Sequence, residues 1–308
     1  MIKVFIDGSA GTTGLRIRER LSAREDLTLV TLPEELRKND DARCDALASA
    51  DVAFLCLPDA AAKEAVAMVE RVGASTAIID TSTAHRVSPG WVYGFPELAG
   101  RRAHVATSRR IANPGCHASG FLALTTPLVE QGILPADAAL TCFSLTGYSG
   151  GGKKMIADYE AADRPSLLDA PRMYGLTQSH KHLPEMTAIS GLEALPVFCP
   201  IVAPYYAGME VTIPLFSHQI KGSMEDVKAA YRAYYATGLV RYTDGDEGGF
   251  LSAAAMTGRD DMQITVTGNE ERLLLVARFD NLGKGASGAA IQNMNILLGL
   301  DEGTGLVI

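Results

Sequence analysis

The chain is 308 residues long, 47% hydrophobic and 21% charged, with a formal net charge of −8. That balance suits one large or two ordinary folded domains with a substantial core. The absence of a dense basic tract argues against a nucleic-acid partner, and no apolar run reaches the ~20 residues of a membrane span.

The first residues, "MIKVFIDGSAG", predict a strand and a glycine turn rather than a signal peptide, so a cytoplasmic location is expected. Five cysteines, at 44, 56, 116, 142 and 199, form no C-x-x-C pair. Neither a zinc site nor a disulfide framework follows, and no metal is assigned.

Residues 3–7, "KVFID", read as a buried strand and "LRIRERLSA" as a helix. Between them Gly8, Gly11 and Gly14 stand in G-x-x-G-x-x-G spacing, with the hydroxyls of Ser9, Thr12 and Thr13. A glycine turn that opens a helix lets a pyrophosphate approach free backbone N–H groups, although a bare strand-to-helix turn has the same look. A second strand, 27–32, leads into "PEELRKND". There Glu34 and Glu35 suit the ribose hydroxyls of NAD, whereas Arg37 and Lys38 suit the 2′-phosphate of NADP; the residues alone leave both open. Strands at 51–58 and 76–82 flank a helix at 59–73. Strands alternating with helices predict a doubly wound parallel sheet. Arg86 follows the fourth strand, at the carboxyl ends of the strands, where open α/β sheets bind ligands.

"NPGCHASG" then places Cys116 after a Pro-Gly turn, at the start of a helical run that ends at Gly132. A helix N-terminus stabilises a thiolate. The bland reading, a buried core thiol, is kept for Cys56, Cys142 and Cys199, which fall in apolar strands. From about residue 139 the pattern changes to successive strands, with residues 224–237 the convincing helix, which predicts a mainly antiparallel α+β domain. "SLTGYSGGGKK" reads as a flexible loop that offers Ser149 and Lys153 to a phosphate. "SHKHLPEM" supplies His180, His182 and Glu185 as candidate partners of the thiol, and its Pro-Glu ending predicts a loop or strand edge. His85, His104, His117 and His218 keep an ordinary structural reading. An apolar helix rich in small residues, 285–299, closes the chain.

Taken together, "GSAGTTG", "YGFPEL", "NPGCHASG", "SGGGKK", "HKHLPE" and "DNLGKGASGAAIQNMNILLG" resemble the N-acetyl-gamma-glutamyl-phosphate reductase family in its shorter type, within the superfamily of the aspartate-semialdehyde dehydrogenases. The resemblance covers essentially the whole chain. It implies an α/β fold in which a Rossmann-type NADP-binding domain, 1–116 and 285–308, is interrupted by an α+β catalytic and dimerisation domain, 117–284.

It further implies NADP(H), a small-molecule acyl-phosphate substrate, a cysteine thioester, a role in arginine biosynthesis and a homodimer or homotetramer. Carried over, Cys116 is the nucleophile, His180 the acid/base with His182 the second choice for that role, and Glu185 completes H-x-H-x-x-E. Asn281, Lys284 and Gly285 fall in the segment that closes on the cofactor, and Arg86, Glu97, Asn113, Ser149 and Lys153 are assigned to substrate. Two departures stand out. The family's longer type has Asp-Phe-Arg where this chain reads Ala84-His85-Arg86, and a Ser-Arg pair where this chain reads "PEELRK". Related acyl-phosphate reductases, acting on aspartyl or carrier-linked aminoadipyl phosphate, are the alternative enzymes, and a non-enzymatic dinucleotide sensor is the alternative outside catalysis.

Overall fold

The computed structural model describes residues 1–308. Two compact units are present: Met1–Pro114 with Ala286–Leu306, and Gly115–Gly285 with Val307–Ile308. No helix is long and apolar enough to cross a membrane.

The first unit is built on six parallel strands, β1 (Ile2–Asp7), β2 (Leu27–Val30), β3 (Val52–Leu55), β4 (Ala77–Asp80), β5 (Val92–Tyr93) and β6 (Arg110–Ala112), in the order β2-β1-β3-β4-β6-β5. The chain turns one way from β1 to β2 and the other way to β3, so the switch point lies at β1, where a crevice opens beyond the strand ends. The strands are shorter than their apolar runs. Asp7 pairs with Leu55 and Leu55 with Asp80, so the three central strands end on one row.

Helices α1 (Thr12–Ser22), α2 (Asp40–Ser49), α3 (Asp59–Arg71) and α4 (Arg101–Thr107), with the C-terminal helix Gly288–Leu297, cover the sheet. Strand alternation decides which residues meet which layer. Val4 and Ile6 pack with Ile17, Leu21, Val105, Ile291 and Met294, whereas Phe5 faces Leu47, Ala65 and Val69 on the opposite side. A sheet covered on both faces needs near-continuous apolar strands, and β3 and β4 are buried at every position.

The second unit carries α5 (Cys116–Glu130), β7 (Thr141–Gly147), α6 (Gly152–Glu160), β8 (Arg172–Met173), α7 (Leu183–Ser190), β9 (Val197–Ala203), β10 (Met209–Phe216), α8 (Met224–Tyr234), β11 (Val240–Tyr242), β12 (Met262–Gly268) and β13 (Arg272–Phe279). Its sheet runs β11-β12-β13-β10-β7-β9-β8; the β11–β12 and β7–β9 pairs are parallel and the others antiparallel.

Two expectations are corrected. The "SGGGKK" stretch is no loose loop but a 3-10 turn, Tyr148–Gly151, that runs straight into α6. "HKHLPE" is a turn that opens α7, with His182 at the N-cap and Pro184 in the first turn, where its missing N–H costs nothing. Both helices are short, so their apolar periodicity covers too few turns to show in the sequence.

Helix α5 presses on the sheet so closely that a Cβ on Gly120 would lie 2.4 Å from Val211 Cγ2. Pro127, inside the helix, has no N–H for the Ala123 carbonyl four residues back. The hydroxyl of Tyr235 donates to that carbonyl at 2.8 Å, and Tyr231 donates to the Leu124 carbonyl at 2.5 Å. Tyr235 thus satisfies the acceptor that the proline leaves open, and Tyr231 adds a donor one residue on. Tyr235→Phe is expected to lower unfolding stability by about 1–3 kcal/mol, the usual cost of a buried polar group left without a partner. A lower urea midpoint with an unchanged slope would show it; an unchanged midpoint would mean that the Ala123 carbonyl finds another donor.

Candidate active site

In the first unit, the turn after β1 is shaped by contact with the strand end beside it. Gly8 has φ +85°, and a Cβ there would sit 2.3 Å from the Cys56 carbonyl oxygen. A Cβ on Gly14 would lie 2.5 Å from the Gly8 carbonyl oxygen, so α1 can pass this close only without a side chain. Helix α1 starts at Thr12 from Gly11 with no side-chain cap, which leaves its first-turn N–H groups, with Ser9 and Thr13 nearby in the chain, for an anion.

A groove of about 1140 Å³ opens over this turn, and its lining includes Asp7, Gly8, Ser9, Arg18, Glu34, Glu35, Arg37 and Lys38. The groove fits a dinucleotide: glycine-lined backbone at one end and a charged rim at the other. Asp7 would repel a pyrophosphate, but the buried Arg43 guanidinium neutralises it, with Nη2 at 2.9 Å and Nε at 3.2 Å from the same carboxylate oxygen. Arg37 lies 3.9 Å from Glu34, an exposed and weak pairing. Arg18 and Arg43 were not singled out by sequence; a helix arginine gives no signal until the helix is docked.

In the second unit, Cys116 is the first residue of α5, behind an N-cap glycine with no side-chain cap. Half-buried, it sits where helix N–H groups favour a thiolate. The preceding amide, Gly115 N–H, donates to Glu185 Oε2 at 3.1 Å. Glu185 is 1% exposed and belongs to the first turn of α7. Its carboxylate therefore joins two helix starts.

His117, the residue after Cys116, belongs to a cluster of three imidazoles. The His180 and His182 rings are 4.8 Å apart, and each is 5.5 Å from His117. The His182 N–H donates to His180 Nδ1 at 3.2 Å, so Nδ1 is the acceptor and a neutral His180 carries its proton on Nε2. His117 is buried; its Nδ1 lies 2.7 Å from Ser144 Oγ and its Nε2 2.7 Å from the Tyr174 hydroxyl. Burial first, and the neighbouring His180 second, hold its pKa down to about 3, so it is neutral at working pH. Buried and hydrogen-bonded at both nitrogens, His117 fits an ordinary structural reading, and the structure adds that its ring packs with His180 and His182. Adjacency to Cys116 was the available signal; Tyr174 and Ser144 gave none.

The other candidate residues have specific places. Gly285 packs on the nucleophile candidate: a Cβ there would meet Cys116 Cβ at 3.0 Å. Asn281 is buried, donating to Ser149 Oγ at 3.0 Å and accepting from Gly208 N–H at 2.9 Å, and Lys284 is buried as well. Lys153 is exposed at the start of α6. In the first unit, Arg86 donates through Nε to the Asn113 carbonyl at 3.0 Å and through Nη2 to the Thr81 carbonyl at 3.2 Å. Asn113 donates to the Ala286 carbonyl at 3.0 Å, and Glu97 accepts from Gln292 at 2.7 Å. Arg86 and Asn113 thus brace the turn leading into "PGC". No group of three or more His, Cys, Asp or Glu side chains is arranged to hold a metal ion.

Comparison with known proteins agrees along the chain. Residues 8–107 match the family description "Semialdehyde dehydrogenase, NAD binding domain", and residues 116–281 match "Semialdehyde dehydrogenase, dimerisation domain". N-acetyl-gamma-glutamyl-phosphate reductases of Brucella ovis and Brucella abortus are each 47% identical over 96% of this chain and 99% of their own. Among solved structures, aspartate semialdehyde dehydrogenase II of Vibrio cholerae matches with a TM-score of 0.73 at 16% identity, covering 97% of this chain and 98% of that one. The Candida albicans enzyme, solved with NADP, matches at 0.65 and 16%, covering 97% and 98%. Those two likenesses establish the α/β fold with its parallel and mixed sheets, and the sequence matches establish the lineage: the chain belongs to the N-acetyl-gamma-glutamyl-phosphate reductase family, among the semialdehyde dehydrogenases.

Proposed function

We propose that this protein reduces N-acetyl-gamma-glutamyl phosphate to N-acetylglutamate 5-semialdehyde and inorganic phosphate, with NADPH as the reductant, through a thioester on Cys116. The observation that carries the reading is Cys116 at an uncapped helix start beside a cluster of three histidines. The 47% identity to named reductases supports the substrate.

The Cys116 thiolate attacks the acyl carbon, and the bond from that carbon to the phosphate oxygen breaks. His180, in its protonated form, gives its proton to the departing phosphate, which would otherwise leave with excess charge. The resulting thioester divides one displacement into two easier steps. When bound, the dihydronicotinamide supplies a hydride to the thioester carbon. N–H groups at the start of α5 stabilise the oxyanion formed there. Collapse of that oxyanion restores the carbonyl, releases the aldehyde and returns the thiolate, and His180 is reprotonated from solvent. Arg86, Asn113, Glu97, Ser149 and Lys153 remain the candidates for substrate; of these, Lys153 has the exposure that suits a phosphate contact, and the others serve the site through the turns they brace.

Cys116→Ser is expected to abolish phosphate-dependent NADP reduction by the semialdehyde while leaving nucleotide binding intact. Near-normal turnover in that variant would reject the thioester route.

NADP over NAD is supported by Arg18, Arg37 and Lys38 on the groove rim, opposite the weaker claim of Glu34 and Glu35. The double variant Arg37→Ala, Lys38→Ala should raise KM for NADPH by about tenfold or more, as expected for loss of charge-assisted hydrogen bonds, with little effect on NADH. A rise confined to NADH would assign the rim to the ribose hydroxyls instead.

Homo-oligomerisation is supported by the second sheet. On the face turned away from α5, Phe143, Val197, Phe216 and Leu274 are exposed apolar residues on neighbouring strands. Contiguous apolar surface of this kind marks a protein interface. Phe143→Glu should shift the protein toward monomer in sedimentation velocity; an unchanged mass would place the interface elsewhere.

A further inference from the structure

Gln178, in the second unit, is the one residue other than glycine with a left-handed backbone, at φ +56°. Glutamine has no preference for that region, where Cβ crowds the following carbonyl. Such a conformation persists only where the surroundings impose it. Here the side chain itself is the restraint. Its Nε2 donates to the Phe198 carbonyl at 2.8 Å, and its Oε1 accepts from the Phe198 N–H at 2.9 Å.

The sheet shows why an amide fits at this point. Strand β8 pairs antiparallel with β9, Arg172 opposite Val202 and Met173 opposite Ile201, and the Tyr174 N–H still donates to the Pro200 carbonyl at 3.0 Å. Continued in that register, Leu176 would face Phe198. The chain turns away first, at Gly175, whose φ is +64°. A primary amide presents a donor and an acceptor side by side, so the Gln178 side chain supplies the rung that the strand does not.

Phe198 also touches the imidazoles. Its ring lies 5.1 Å from that of His180 and 5.3 Å from that of His117. On the other side of His180 the chain enters α7, with the Leu183 N–H donating to the His180 carbonyl at 3.0 Å and the His182 N–H to His180 Nδ1 at 3.2 Å. His180 is therefore held between two fixed points, the start of α7 and the Gln178 clamp on β9.

We infer that Gln178 is a positioning residue: its clamp on the Phe198 backbone fixes the turn that carries His180, and so fixes the imidazole. The inference rests on the reading of His180 as the acid/base. Glycine or asparagine would occupy this backbone conformation with less strain, but neither has the reach to bond both Phe198 groups.

Those two residues supply the test. Gln178 is exposed, so replacing it opens no core. In phosphate-dependent NADP reduction by the semialdehyde, Gln178→Asn and Gln178→Gly should each lower kcat about tenfold, the scale of a modest misplacement of a reacting group, with KM for NADP unchanged. His180→Gln should be slower still, by about 100-fold or more. Adding Gln178→Asn to His180→Gln should then slow the enzyme no further, because the clamp acts through that ring. Wild-type kcat in both Gln178 variants would overturn the inference. So would a double variant that repeats the tenfold loss in full, since Gln178 would then act elsewhere. A merely structural role would lower the melting temperature, or the fraction of protein with a titratable Cys116, and leave kcat per titrated site at the wild-type value; that result also overturns it. Failure of the underlying reading has a different signature: His180→Gln alone would turn over near the wild-type rate, whatever the Gln178 variants do. Should Gln178→Asn not fold, Gln178→Gly takes its place in the cycle.

Discussion

The hydrogen bond from Gly115 N–H to the buried carboxylate of Glu185 is the contact on which the chemistry proposed for the second unit depends. It costs little to bury this carboxylate, because it lies in the first turn of α7 and faces the start of α5, where both helices present positive ends. In return it fixes the residue immediately before Cys116. With the helix start anchored and Gly285 packed against Cys116 Cβ, the sulfur has a defined origin. A reacting group needs that definition, since small misplacements of a nucleophile cost large factors in rate.

Charge is managed differently in the two units. Near the glycine turn a strand terminates in Asp7, and Arg43 cancels that acid from α2, which suits the groove to the phosphates proposed for it. In the histidine cluster one ring is kept neutral. His117, flanked by His180 and His182, is stripped of its proton by burial, so it can direct hydrogen bonds without adding fixed charge. A cationic ring in its place would hold the thiolate more strongly but would also oppose its departure into a thioester.

The close approaches explain several sequence features together. Gly120 admits α5 onto β10, Pro127 removes a donor from the same helix, and the hydroxyls of Tyr231 and Tyr235 on and just after α8 donate to the Leu124 and Ala123 carbonyls. Packing of this density transmits the position of the sheet to Cys116 through a helix that cannot slide.

Local pattern alone determined much of this protein. The β1–glycine–α1 turn, the apolar run Val4, Phe5 and Ile6, the helix start at Cys116 and the change to a strand-rich second half are short-range features, written within a few residues of each other. The cluster of conspicuous motifs was equally legible, because each is contiguous. Only the tertiary structure decided that "SGGGKK" and "HKHLPE" start helices rather than loops, since each helix is held by its neighbours more than by its own periodicity. It also decided that Arg86, Asn113 and Asn281 brace turns, and that Ser144, His117 and Tyr174 line up in one chain of hydrogen bonds. Those partners lie 27 and 57 residues from His117 along the chain. Hydrogen bonds over such separations are set by how sheet and helix pack, and no local spacing records them.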